Sequence, residues 1–191
     1  MRPLTRNVVA VYRRATPEQL ARGRNWYQDA HDLALELDAH SPARGAGVIA
    51  ALSPMIQWER NAALARGAFL AGVGFGTYGA NTRKASAILR GEDPLEVLGG
   101  RKVRAFYACI VNPEGSDAVC VDRHAHDIAV GQRCTDETRA ALASERTYQA
   151  FVRAYLRAAR VLDVPASHVQ AVTWLVWRDE YRWARARETG E

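Results

Sequence analysis

The chain has 191 residues, a formal charge of +5, 48% hydrophobic residues and 25% charged ones. That length suits one domain, or two interleaved lobes sharing a core, and the hydrophobic fraction excludes disorder as the main state. The longest apolar runs are only a few residues, which excludes a transmembrane helix, and the run in the basic stretch MRPLTRNVVAVYRR is too short for a signal peptide. The expectation is a cytoplasmic protein with no membrane partner.

Helical signals succeed one another along the chain. Thr16-Pro17-Glu18-Gln19 combines an N-cap threonine, a proline at the first helical position and a glutamine three residues after the cap. Leu20, Trp26, Tyr27, Ala30, Leu33, Ala34 and Leu37 continue it with a helical period to about Ala39. Ser41-Pro42 restarts the chain, and Val48–Leu52 forms a short apolar helix that ends near Pro54. Residues 57–71 form another, finishing in the glycine-rich loop from Gly72 to Gly79. Asn81 or Thr82 caps a helix through Leu89. Asp93-Pro94 opens a turn of helix to Leu98, Gly99-Gly100 breaks it, and residues 101–111 are helical again. Asn112-Pro113-Glu114-Gly115 is a turn.

A further helix runs from Asp122 to about Val130. Ser144 precedes a long one, Tyr148 to Leu162, with an apolar stripe of Tyr148, Phe151, Val152, Tyr155, Leu156, Ala159 and Leu162. Ser167-His168-Val169-Gln170 reads as a second capping box, opening a helix with Val172, Leu175, Val176 and Tyr181. Ala118–Val121 is short and ambiguous between strand and loop. The class is all-α.

Of the 26 basic residues, 24 are arginine; only Lys84 and Lys102 are lysine. The positive charge is spread evenly, so a nucleic-acid surface, if one exists, must be assembled by folding. Cys109, Cys120 and Cys134 have neither zinc-ribbon nor iron–sulfur spacing, and their odd number fits reduced thiols. No cofactor and no metal are called for by these residues.

The middle of the chain carries the chemistry. Leu98-Gly99-Gly100-Arg101-Lys102-Val103-Arg104 places two glycines at a helix start, where backbone amides can approach a phosphate. Lys102 in the first turn feels the positive end of the helix dipole and neighbouring basic side chains, which favours a nucleophilic amine. About twenty residues later the apolar run Ala118–Val121 ends in Asp122-Arg123-His124. An amine and a carboxylate form a plausible acid–base or nucleophile pair.

This stretch resembles the helix–hairpin–helix superfamily of DNA glycosylases, of the endonuclease III type. On that resemblance Lys102 falls at the Schiff-base lysine and Asp122 at the catalytic aspartate, in the context Val121-Asp122-Arg123-His124. Val48-Ile-Ala-Ala-Leu-Ser53 resembles the family's early apolar helix, and Pro54-Met55-Ile56-Gln57 the turn that inserts a wedge into the base stack. The hairpin is about two residues shorter than the family's, Arg123 stands where threonine is usual, and the iron–sulfur cysteines of some members are absent.

The resemblance implies one glycosylase-like domain over 1–191, a compact two-lobed helical fold with its active cleft between the lobes. The central lobe would span about 45–125, and the second would combine 1–44 with 126–191. It implies a monomer acting on double-stranded DNA. The enzyme flips a base, modified or unusual, out of the duplex and hydrolyses its N-glycosidic bond to leave an abasic site. A pocket for bulky modified bases would make it a defence enzyme against phage. Asp122 would stabilise the developing positive charge on the sugar and orient water; with Lys102 as nucleophile, the products are an imine and then a cleaved strand.

Met55, Ile56 and Gln57 are wedge candidates. Gly99, Gly100, Arg101, Arg104 and Arg123 are phosphate contacts. Trp26, Tyr27, Tyr107, Trp174, Trp177 and His124 are candidates for the base pocket. His31 and His168 read as surface or structural.

Asp122, His124 and His126, with Asp127 beside them, allow a rival: a metal-dependent nuclease or phosphohydrolase. On a helix His124 and His126 face about 200° apart, so that reading needs an irregular segment. A base-modifying enzyme and a non-catalytic DNA-binding module on the same fold are the remaining alternatives.

Overall fold

A computed structural model describes the backbone of residues 2–189 and the side chains of residues 2–180. Among the described residues the protein is all-helical, with no strand. These residues form eleven α-helices and one 3₁₀ turn: α1 (Thr5–Tyr12), α2 (Pro17–Leu37), α3 (Pro42–Leu52), α4 (Trp58–Ala71), α5 (Gly79–Leu89), α6 (Pro94–Val97), α7 (Arg101–Val111), α8 (Arg123–Val130), α9 (Asp136–Arg139), the 3₁₀ turn Ala140–Ala143, α10 (Glu145–Leu162) and α11 (Ala166–Thr189). Among the described residues no helix is long and apolar enough to cross a membrane.

The Thr16 box forms as its sequence dictates. Thr16 N donates to Gln19 Oε1 at 3.0 Å and Gln19 N donates to Thr16 Oγ1 at 3.2 Å. Asp93 caps α6 by accepting from Leu95 N at 2.8 Å. Elsewhere the starts differ from the sequence reading. α5 begins at Gly79, so Asn81 and Thr82 lie inside it, and the Thr82 hydroxyl donates back to Gly79 O. α11 begins at Ala166, which puts Ser167 inside the first turn instead of at its cap. α10 begins at Glu145, earlier than the predicted Tyr148, with Ser144 at the N-cap position but making no side-chain cap bond. The side chain of Tyr181 lies outside the described residues.

Helix α1 has no sequence cap and is rich in β-branched valine, so local propensity gives it little support. Burial supplies the rest. Val8, Val9, Val11 and Tyr12 are buried in one cluster with Ile128, Phe151, Tyr155 and Val172, and each such side chain contributes about 1.5–3 kcal/mol. The Ala118–Val121 segment is neither helix nor strand, and Val121 N turns back to donate to Val119 O at 2.9 Å.

The chain divides into two units, Tyr27–Glu114 and Met1–Trp26 with Gly115–Glu191. The sequence reading sets the first boundary at about residue 45. It falls inside α2 instead, because the second half of that helix packs with the helices after it: Arg66 pairs with Glu36 at 2.7 Å, and His31 Nδ1 meets Ile110 O at 2.8 Å. Within this unit α3 packs against α4, α5, α6 and α7. In the other unit α1, α8, α10 and α11 pack on one another.

Candidate functional site

Asp122 sits where a buried segment turns into α8. Val119 and Val121 are buried, and the Tyr148 hydroxyl clamps the backbone between them. That hydroxyl accepts from Val121 N and donates to Val119 O, each at 3.3 Å. Asp122 is then the N-cap of α8, its Oδ1 accepting from Ala125 N at 2.8 Å. The Tyr155 hydroxyl donates to Ala125 O at 3.2 Å and fixes the same turn from below. Full burial pushes the Tyr155 phenol far up, so it acts as a permanent donor. The Asp122 carboxylate is half-buried, and among the described residues it accepts no second hydrogen bond. A carboxylate held by one oxygen with the other available suits charge stabilisation or water orientation.

Aromatic side chains stand beside it in the same unit. His124 is half-buried and edge-on to Trp174, with ring centres 6.2 Å apart at 81°. Trp174 in turn lies 5.2 Å from Trp26, and the Arg178 guanidinium stands 4.4 Å over the Trp174 ring. Arg123 Nε donates to His124 Nε2 at 3.4 Å, which requires the tautomer with its proton on Nδ1. Burial lowers the His124 pKa, Arg123 and Arg133 lower it further, and the opposing attraction of Asp122 and Asp127 does not restore it. The ring is neutral at pH 7. Trp177, by contrast, is covered by Arg133, whose guanidinium lies 5.1 Å from the ring centre.

The rival metal set does not assemble. His124 and His126 both lie on the regular helix α8, so they diverge. Among the described residues, the cluster able to hold a cation is His126, Asp127 and Cys134, with ligand atoms within 4.8 Å of one another. Its chemistry fits an ion pair better. Arg139 donates to both Asp127 oxygens, at 3.0 and 2.6 Å. His126 Nδ1 meets Asp127 Oδ1 at 3.1 Å, and its ring stacks on Phe151. Burial alone would raise the Asp127 carboxyl; the bonds from Arg139, His126 and the Cys134 amide outweigh it and hold the carboxyl below its ordinary range. Burial and Asp127 push the Cys134 thiol up, away from the thiolate a metal needs. A cation would have to displace a guanidinium. The network instead ties α9 to α8, the helix that carries Asp122.

The Tyr27–Glu114 unit holds the remaining candidates. Between α3 and α4 the chain turns through Ser53–Gln57. Ser53 Oγ donates to Ala50 O, and buried Asn61 donates from Nδ2 to Ile49 O, which pins the turn to the end of α3. Met55 sits at its tip with φ 65°, left-handed for a residue with a side chain, and is 79% exposed. Ile56 is half-buried, and Gln57 is exposed at the N-cap position of α4.

At the glycine hairpin, Leu98 is fully buried and anchors the turn. Gly100 has φ 79° and ψ 133°, a conformation open to glycine alone, and a β-carbon there would face open space. Arg104 Nε donates to Leu98 O at 2.7 Å, so this arginine braces the hairpin from within. Arg101 is half-buried and Lys102 exposed in the first turn of α7, which has no side-chain cap. Lys84 Nζ lies 3.3 Å from where a β-carbon on Gly99 would stand, which places this lysine beside the turn.

Tyr27 and Tyr107 are core residues, 2% and 8% exposed, with Tyr27 packed against Phe106. Neither offers a free face to a base. Lys102 belongs to this unit and Asp122 to the other.

Sequence reasoning missed Lys84, Tyr148 and Arg178 as contributors. Arg178 was findable, since it comes four residues after Trp174 on a helix; the roles of Tyr148 and Lys84 depend on contacts distant in sequence. A family model, described as a family of unknown function (DUF7178), matches residues 1–181. Among curated proteins and solved structures, none matches the chain.

Proposed function

The chain belongs to that family, and from this premise we propose that it is a DNA N-glycosylase acting on a modified or unusual base. The observation that carries the reading is the Asp122 carboxylate, held at the start of α8 beside the Trp26–Trp174–His124 group. Breaking a glycosidic bond builds positive charge on the sugar, and a carboxylate fixed in a partly desolvated place stabilises that charge where it develops. The second Asp122 oxygen orients or deprotonates the attacking water.

Trp26, Trp174 and neutral His124 supply faces and edges on which a flipped base stacks without an ionic cost. The Tyr27–Glu114 unit, taken by itself, carries candidate contacts to a duplex. Met55 is an exposed apolar wedge on a pinned turn, and the Gly99–Gly100 hairpin gathers Lys84, Arg101 and Lys102 for phosphates. Arg104 supports that hairpin more than it contacts DNA. In the two-step version of the reaction, Lys102 attacks the sugar as a nucleophile, expels the base and forms an imine.

The test incubates the protein with unmodified DNA and with modified phage DNA and counts abasic sites. Asp122→Asn should bind DNA as the wild type does and release no base. Borohydride trapping that depends on Lys102 would add the lyase step. Base release undiminished in Asp122→Asn would refute the assignment.

A further inference from the structure

The unit that contains Asp122 also has a cavity of about 230 Å³ that Asp122 does not line. Its walls are the exposed Arg2, Arg153 and Arg157 with Pro3 and Thr5, and the small side chains of Ala150 and Ala154 leave the space between them. Residues 150, 153, 154 and 157 recur at helical spacing on one face of α10, and α1 packs against that helix.

Among the described residues no carboxylate lines the cavity. Among the described residues none of its three arginines has an ion-pair partner, whereas Arg14, Arg66 and Arg139 each have a carboxylate within 3 Å. Three like charges around one hollow repel each other until an anion enters. Thr5 opens α1, whose N-cap Leu4 provides no side-chain acceptor and whose first turn has no acidic residue. Its amide, at the positive end of the helix dipole, is therefore available to an anion.

The geometry selects the anion. A carboxylate is planar and is satisfied by one arginine fork. A tetrahedral phosphoryl group offers oxygens in several directions, which suits forks arriving from two chain segments. The volume holds such a group with a few waters, each taking roughly 30 Å³.

We propose that this cavity is an oxyanion site for a phosphoryl group, either a phosphodiester of a DNA backbone or a free phosphate. It is independent of the glycosylase chemistry, and its test reads binding alone. Thermal melts at fixed ionic strength, with inorganic phosphate exchanged for chloride, are run on the wild type, on Arg153→Ala/Arg157→Ala and on Ala150→Leu. The last variant keeps every charge and fills the space. Far-UV circular dichroism confirms that each variant is folded.

The wild type should show a saturable rise in Tm that both variants lose. A parallel salt series with duplex DNA identifies the source. If the backbone supplies the group, both variants weaken DNA binding several-fold, and the salt slope falls by about one. If phosphate stabilisation is lost while DNA affinity stays unchanged, the ligand is a free phosphate. Variants that match the wild type with both probes would overturn the proposal.

Discussion

Replacing Arg139 with alanine tests how α8, and with it Asp122, is held in place. Arg139 makes two hydrogen bonds to Asp127, at 3.0 and 2.6 Å, and the Asp127 side chain is 1% exposed. Truncation leaves a buried carboxylate without its cation, an event that costs about 3–5 kcal/mol. The low end applies here, because Arg139 is itself 19% exposed and water can enter the space it vacates. A loss of about 3 kcal/mol in a chain of this length lowers Tm by roughly 6–12 °C. Asp136→Ala is the control: that carboxylate also reaches Arg139, at 2.7 Å, but is 99% exposed and should leave the melt almost unchanged.

The effect has a pH signature. The folded Asp127 carboxyl lies below its unfolded value of about 3.9. Its stabilisation is therefore complete above that unfolded value and disappears as pH falls through the folded one. The gap between wild type and Arg139→Ala should narrow along the same descent. Melting curves at pH 7 and at stepped acidic pH measure both. A destabilisation below about 1 kcal/mol at pH 7 would show that Asp127 does not depend on Arg139, and the ion-pair account of the cluster would fail.

Gly100→Ala forces a side chain into φ 79°, ψ 133° and should cost about 1–3 kcal/mol by chemical denaturation, even though the added methyl meets nothing; an unchanged midpoint would contradict the strained hairpin. Met55→Gly relieves a left-handed residue and should raise stability by about 1 kcal/mol, while base release from duplex DNA falls and release from single-stranded DNA is spared. Equal losses on both substrates would remove Met55 as a wedge. Tyr148→Phe removes the hydroxyl that Val121 N and Val119 O share; because Val121 N also donates to Val119 O at 2.9 Å, both stay paired and the cost should be about 0.5–1.5 kcal/mol. It should also slow base release, because the clamp sets where Asp122 stands.

The sequence made the helices legible where a local signal starts them. The Thr16–Gln19 box and the prolines at 17, 42 and 94 each mark a start that the structure uses. It hid α1, because a run of β-branched valines without a cap becomes helical only through burial against distant helices. Ser167 misled because a serine and a glutamine at box spacing also fit inside a buried first turn, and nothing local distinguishes the two. Asp122 was legible by its position after an apolar run and before a helix. The contacts that place it were not, since Tyr148 and Tyr155 approach from 27 and 30 residues away. The left-handed Met55 had no signal at all: a glycine or asparagine would have announced it.

Mass spectrometry of the small molecules released from DNA is the decisive measurement for the glycosylase reading, run with wild type and Asp122→Asn on modified and unmodified DNA. A free base from one of the DNAs, absent with Asp122→Asn, is the predicted result and names the substrate. Release of nucleotides instead of a base, or a free base from both forms of the protein alike, would contradict it.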